Sequence, residues 1–196
     1  MRRLNPLPLN MLPAILALAW PTMLEQLLQT AVQYIDTAMV GSLGTQATAA
    51  VGATTTVNWL IGSSISALGV GFLSFIAQAY GAKEREAASK AVMQAVLVTV
   101  ICGLFFTALT LGLSGVIPVW MRVDESIRAL AGQYFFILYL PMLPRTASII
   151  FGTVLRAAGD TKSPLIYLTI AGVINVALNV IFVTVFHMNV AGVALA

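Results

Sequence analysis

The strongest constraint on this chain is the recurrence of long apolar runs, broken only by short polar segments. A run of roughly twenty apolar residues crosses the ~30 Å hydrocarbon core of a bilayer as a helix, the one open-chain form that satisfies its own backbone polar groups there. With 59% hydrophobic and 9% charged residues and a mean hydropathy of +0.94, the chain lacks the polar surface of a water-soluble domain. It reads as an all-α polytopic membrane protein. The first run, continuing to about residue 40, is too long for a secretory signal. Cys102 is the only cysteine, which excludes a disulfide or cysteine-based metal framework within one chain.

Five spans are predicted. The first, residues 11–40, stops at Gly41-Ser42-Leu43-Gly44, where glycines can take the left-handed conformation that ends helices. The second, 47–80, ends at Gly81 before the solvated turn Lys83-Glu84-Arg85-Glu86. The third, 88–116, is followed by a connection carrying Pro118, Arg122, Asp124 and Glu125, and the fourth covers 127–157. Gly159-Asp160-Thr161-Lys162-Ser163-Pro164 then forms a turn, with Ser163 as N-cap and Pro164 at the first position of a fifth span that ends near His187. Residues 189–196 begin a further apolar segment too short to cross a membrane, so the expectation is one lobe over residues 1–196, cut as a sixth helix starts.

Basic residues orient the bundle. With the N-terminus cytoplasmic, the inner segments hold Arg2, Arg3, Lys83, Arg85, Lys90, Arg156 and Lys162, and the outer loops hold Arg122 and Arg128. The net charge of +3 therefore reads as topology; the basic clustering that a nucleic-acid partner requires is lacking.

Three charges fall inside apolar stretches: Glu25, Asp36 and Arg145. Each costs at least ~3 kcal/mol at membrane depth, so such residues mark ion paths, proton relays or substrate sites. At ~100° per residue, Glu25, Gln29, Gln33 and Asp36 fall at roughly 0°, 40°, 80° and 20° on the first helix, with Thr22 beside them, forming a stripe that lines either a wet cavity or a helix interface. Asp36 stands about five residues from the outer end of its span and ~16 Å beyond Glu25. It can act as an exchangeable acid, a sodium ligand or a hydrogen-bonded structural acid. Pro21 predicts a bend in the same helix, as a hinge or a packing feature.

Other spans offer polar groups at compatible depth: Asn175 and Asn179 one turn apart, Tyr134, and Thr54, Thr55 and Asn58. Asparagines at these positions serve equally as interhelical glue. Arg145, behind Pro141 and Pro144, needs an acid or proline-freed carbonyls, and Glu25 is the acid expected at similar depth. His187, Trp59 and Phe72 read as interfacial or packing residues.

Four segments in order, Trp20-Pro21, Ile35-Asp36-Thr37-Ala38-Met39-Val40-Gly41-Ser42-Leu43-Gly44, Ala77-Gln78-Ala79-Tyr80-Gly81-Ala82 and Leu155-Arg156-Ala157-Ala158-Gly159-Asp160-Thr161-Lys162-Ser163-Pro164, resemble the multidrug and toxic compound extrusion family. The resemblance implies a twelve-helix transporter of two six-helix lobes around a cavity, of which this chain is the N-terminal one, partnered by a missing C-terminal lobe. It implies alternating-access export of small molecules coupled to protons or sodium, with no cofactor, in the cytoplasmic membrane. Asp36 matches the first-helix aspartate tied to cation coupling, and Asn175 and Tyr134 match its polar partners in one branch. That branch has an aspartate where this chain has Asn179, which removes a charge from a sodium site of that type.

The function expected is antiport of amphipathic, cationic organic molecules. A rival reading is a lipid-linked precursor flippase of the same superfamily, which requires a cationic cavity that Arg145 alone supports thinly. An intramembrane enzyme is excluded by the lack of His-x-x-x-His, reactive cysteine or Ser-Lys spacing.

Overall fold

The computed structural model describes residues 11–196; Arg2 and Arg3 lie outside the described residues. All regular structure among those residues is helical. Helix α1 spans Leu12–Ser42, α2 Thr45–Gly81 and α3 Arg85–Leu113, each with the length to cross a bilayer. α2, α3 and the stretch Lys162–Val185 are also apolar enough by composition alone. α1 has the length but carries Glu25, Gln26, Gln29, Gln33 and Asp36, so its place in the bundle depends on what those side chains meet.

The predicted fourth span is two helices. α5, Glu125–Tyr139, and α6, Met142–Ala157, meet at a break bent by 51°. The cause is local: Pro141 supplies no N–H and its ring crowds the carbonyl one turn earlier, so the ladder ends at Leu140 and restarts beyond it. A short helix, α4 (Ile117–Trp120), occupies the preceding connection. Pro21, by contrast, does not end its helix; α1 is helical through it. The fifth span is α7, Lys162–Val180, extended by a π-helical turn over Ile181–Val185, after which His187 takes φ 51° and α8, Asn189–Leu195, begins.

Two terminal devices differ from expectation. Ser163 does not cap α7; Asp160 does, its Oδ1 accepting from the Lys162 and Ser163 amides at 3.1 and 3.0 Å, while Ser163 Oγ donates to its Oδ2. The Ser163 bonds hold the Asp160 carboxyl below its ordinary 3.8. Pro164 accordingly lies inside the first turn rather than at its first position. At the end of α2 the left-handed residue is Lys83, φ 61°, not Gly81. Gly44 and Gly159, at φ 106° and 88°, do take the conformation that glycine tolerates best.

The core lies where α2, α3, α5 and α6 converge: Ile61, Ile65, Ala95, Phe135, Tyr139, Met142 and Ile150 pack together. α1 packs chiefly on α7, and α5 also contacts α8. α3 and α6 approach closely at Gly103, where a β-carbon would come within 2.5 Å of Leu143 Cδ1 and 3.0 Å of its Cα. Gly103→Val is therefore expected to cost about 1 to 3 kcal/mol by overpacking. Thermal unfolding in detergent checks this against Gly112→Val, where nothing lies within 4 Å of the new carbon; equal stability of the two variants counts against the close approach.

Candidate functional site

α1 presents two different polar edges, not one stripe. Pro21 and Glu25 are buried and Asp36 is half-buried, all turned toward the bundle, while Gln29 and Gln33 sit on the exposed flank. The spread of some 80° across the predicted stripe is wide enough to straddle the boundary between packed and open surface. Thr22 turns its hydroxyl back onto the Leu18 and Ala19 carbonyls and takes no part in the site.

Near the C-terminal end of α1, Asp36 meets α7. Asn179 Nδ2 donates to Asp36 Oδ1 at 2.6 Å and to Asn175 Oδ1 at 3.2 Å. Asn179 is fully buried, and its own Oδ1 has no hydrogen-bond partner. The i, i+4 spacing of the two asparagines thus builds a relay in which Asn179, not Asn175, touches the carboxylate. Tyr134 on α5 packs against the cluster of Val40, Ala47 and Val190 and makes no hydrogen bond to Asp36 or Arg145. The spare acceptor on Asn179, the Asn175 oxygen and the Asp36 carboxylate are hard oxygen donors of the kind that bind a proton or a small hard cation.

Deeper along α1, Glu25 pairs with Arg156 near the end of α6. Arg156 Nη1 lies 2.8 and 3.0 Å from the two carboxylate oxygens, and Nη2 donates to Thr153 Oγ1 at 3.0 Å. Gln29 Nε2 approaches Glu25 Oε1 at 3.4 Å. The cluster is closed by Gly152, where a β-carbon would come within 2.7 Å of the Tyr167 hydroxyl, itself donating to the Ser148 carbonyl at 3.0 Å. The expected partnership of Glu25 with Arg145 is thereby overturned. Arg156, assigned to a connection by charge counting, belongs to the last turn of α6.

Arg145 instead donates through Nη2 to Asn58 Oδ1 at 2.8 Å, the same oxygen that accepts from Tyr139 Oη at 3.2 Å. Its guanidinium carbon stands 5.9 Å from the Tyr139 ring centroid. Thr54 and Thr55 bond back to the Val51 carbonyl, leaving Asn58 as the α2 residue engaged.

Sequence reading missed Arg156 and Thr153, although a signal existed. Glu25 and Asp36 are eleven residues apart on α1, as are Arg145 and Arg156 on α6. Eleven residues return to within ~20° of the same helix face, so each pair lines one face. In helices that run in opposite directions, pairing Glu25 with Arg156 sets Arg145 at the level of Asp36. The two carrier helices share no extensive backbone interface, α1 packing on α7 and α6 on α2 and α3, so long side chains bridge them.

The chain is similar to proteins of one known family. The MatE family model matches residues 21–181. "Probable multidrug resistance protein YpnP" of Bacillus subtilis is 30% identical over 186 residues, 94% of this chain and 42% of its own length. "Probable multidrug resistance protein NorM" of Thermotoga maritima is 28% identical over 202 residues, 98% of this chain and 43% of that protein. The crystal structure of a MATE protein in complex with MaD3S superposes with a TM-score of 0.89 at 26% identity, over 93% of this chain and 41% of that one. The chain thus spans about two fifths of the length of the relatives it matches.

Proposed function

Because this chain belongs to the MatE family of integral membrane proteins, we propose that it is the N-terminal lobe of a secondary antiporter exporting amphipathic organic molecules, cationic ones included, in exchange for protons or sodium. The multidrug resistance named for its relatives supports the substrate class. The observation that carries the coupling is the Asp36–Asn179 contact. An ionisable carboxylate on α1 is held by the Nδ2 of one buried amide of α7, whose oxygen has no protein partner. Leaving a buried acceptor unpaired costs about 1 to 3 kcal/mol, which a proton-bearing group or a cation bound at Asp36 offsets in one conformation. Because an ion shifts an equilibrium only by its differential affinity for the two states, this site couples ion binding to the α1–α7 arrangement.

Proteoliposomes of the full transporter loaded with a cationic dye test the reading: dye should move against its gradient when a pH or sodium gradient is imposed. No response to either gradient sinks it. The flippase alternative gains nothing here, since Glu25 neutralises Arg156 and only one intramembrane guanidinium is left without an acid among the described residues.

Orientation is part of the same proposal. A reporter fused near Lys83 or Lys162 is expected to be cytoplasmic and one near Asp124 external, from the excess of basic residues on the inner side. The mirror-image labelling pattern reverses the direction of transport and every depth given above.

A further inference from the structure

The end of the bundle where α3 gives way to α5 carries a polar groove that takes no part in the ion site. It encloses about 460 Å³ and is lined by Ser114, Gly115, Glu125, Arg128, Gly132 and Gln133, with no residue of α1 or α7 among them. Its level in the membrane follows from helix length. The 29 residues of α3 extend ~43 Å at 1.5 Å per residue, against a hydrocarbon core of ~30 Å, so the helix outruns the core. The polar groups that follow it, Ser114, Arg122 and Asp124, and the exposed Trp120 between them place this end in the headgroup layer, where tryptophan settles.

The charges in the groove are loosely held. Arg128 Nη1 stands 3.6 Å from Glu125 Oε1, beyond hydrogen-bond length, and Nη2 makes only a 3.3 Å bond to the Val123 carbonyl, while Nε is buried without a partner. The Glu125 side chain is 89% exposed, so the pair contributes little to stability and each charge is free to take a second partner. Away from the groove the same face of α5 turns apolar. Glu125, Ala129, Gln133, Phe136 and Leu140 are all exposed and fall within ~80° of one another at ~100° per residue, forming one stripe. Phe136 and Leu140 lie ~16 and ~22 Å along the helix axis from Glu125, at the depth of acyl chains. On the other wall, every exposed residue of α3 from Val96 to Leu109 is apolar, as a surface against lipid tails requires.

We propose that the groove binds the phosphoethanolamine headgroup of a membrane phospholipid, with its phosphate on the Arg128 guanidinium, its ammonium on the Glu125 carboxylate and its acyl chains along Phe136 and Leu140. Charge complementarity selects this headgroup. The arginine fork matches two phosphate oxygens, and an ethylene bridge sets the ammonium close enough for one molecule to meet both side chains. An anionic headgroup meets Glu125 unfavourably, and a choline headgroup has the same charges but no N–H to donate to the carboxylate.

Native mass spectrometry of the delipidated full transporter tests this by titration with phosphatidylethanolamine, phosphatidylcholine and phosphatidylglycerol of identical chains. Phosphatidylethanolamine is expected to bind about tenfold more tightly than phosphatidylcholine, the worth of one hydrogen bond to a charged group, and more tightly than phosphatidylglycerol. Glu125→Gln should bring phosphatidylethanolamine down to the phosphatidylcholine level and leave the latter unchanged, and Arg128→Gln should weaken both. Arg122→Gln, in the exposed connection outside the groove, should change neither. Equal binding of the three lipids, tightest binding of phosphatidylglycerol, or an ethanolamine preference that survives Glu125→Gln overturns the assignment. So does glycerophosphoethanolamine binding as tightly as the lipid, which removes the acyl chains from the site, and so does binding of none of the lipids, the result expected if the second lobe covers the groove.

Discussion

Replacing Asp36 with Asn in the full transporter is expected to lower gradient-driven export by about 5- to 150-fold, the range of a typical coupling free energy between two linked sites, while equilibrium binding of a cationic dye should change by a few-fold. The two effects separate for a physical reason. The asparagine side chain has the size of the aspartate and still accepts from Asn179 Nδ2, so the α1–α7 contact survives. It does not titrate and carries no charge for a cation, so the ion loses its preference for one conformation. Initial rates in proteoliposomes, under an imposed pH gradient and separately a sodium gradient, give the first number, and dye titration gives the second. A variant that inserts normally and exports at the unmodified rate reduces Asp36 to a structural acid.

The second large effect is on stability. Glu25→Ala or Arg156→Ala is expected to destabilise the lobe by about 3 to 5 kcal/mol, because each leaves the other charge buried and unpaired. The side chains of Glu25 and Arg156 are 8% and 23% exposed, little enough that water does not take over the solvation. The pair Glu25→Leu with Arg156→Met, which removes both charges and keeps the volume, should recover most of the loss. Denaturant titration in micelles measures all three. Single variants within about 0.5 kcal/mol of the parent would show that the pair behaves as an exposed one.

The two predictions probe different ends of α1. Glu25–Arg156 ties the N-terminal half of the helix to α6 through both carboxylate oxygens, whereas Asp36 is tied to α7 by one hydrogen bond to a neutral amide. The C-terminal end of α1 is therefore the more easily released.

Apolar run length alone determined the membrane class, the helical fold and the approximate bounds of α1, α2, α3 and α7, because a bilayer penalises unsatisfied backbone wherever it occurs. The turn glycines Gly44 and Gly159 were legible for the same kind of local reason, a positive φ at each. The split of the fourth span was written in Pro141 and Pro144, but its 51° angle depends on α5 and α6 each finding a packed surface on α2 and α3. Partner choice was not local at all. Glu25 took Arg156 over Arg145, and Asp36 took Asn179, because a carboxylate bonds whatever donor the opposing helix brings to its level, and axial level is set by the crossing of α1 with α6 and α7. Helical periodicity fixes which face a residue occupies. Only the packed bundle decides what stands opposite that face, and so which charge is neutralised within the lobe.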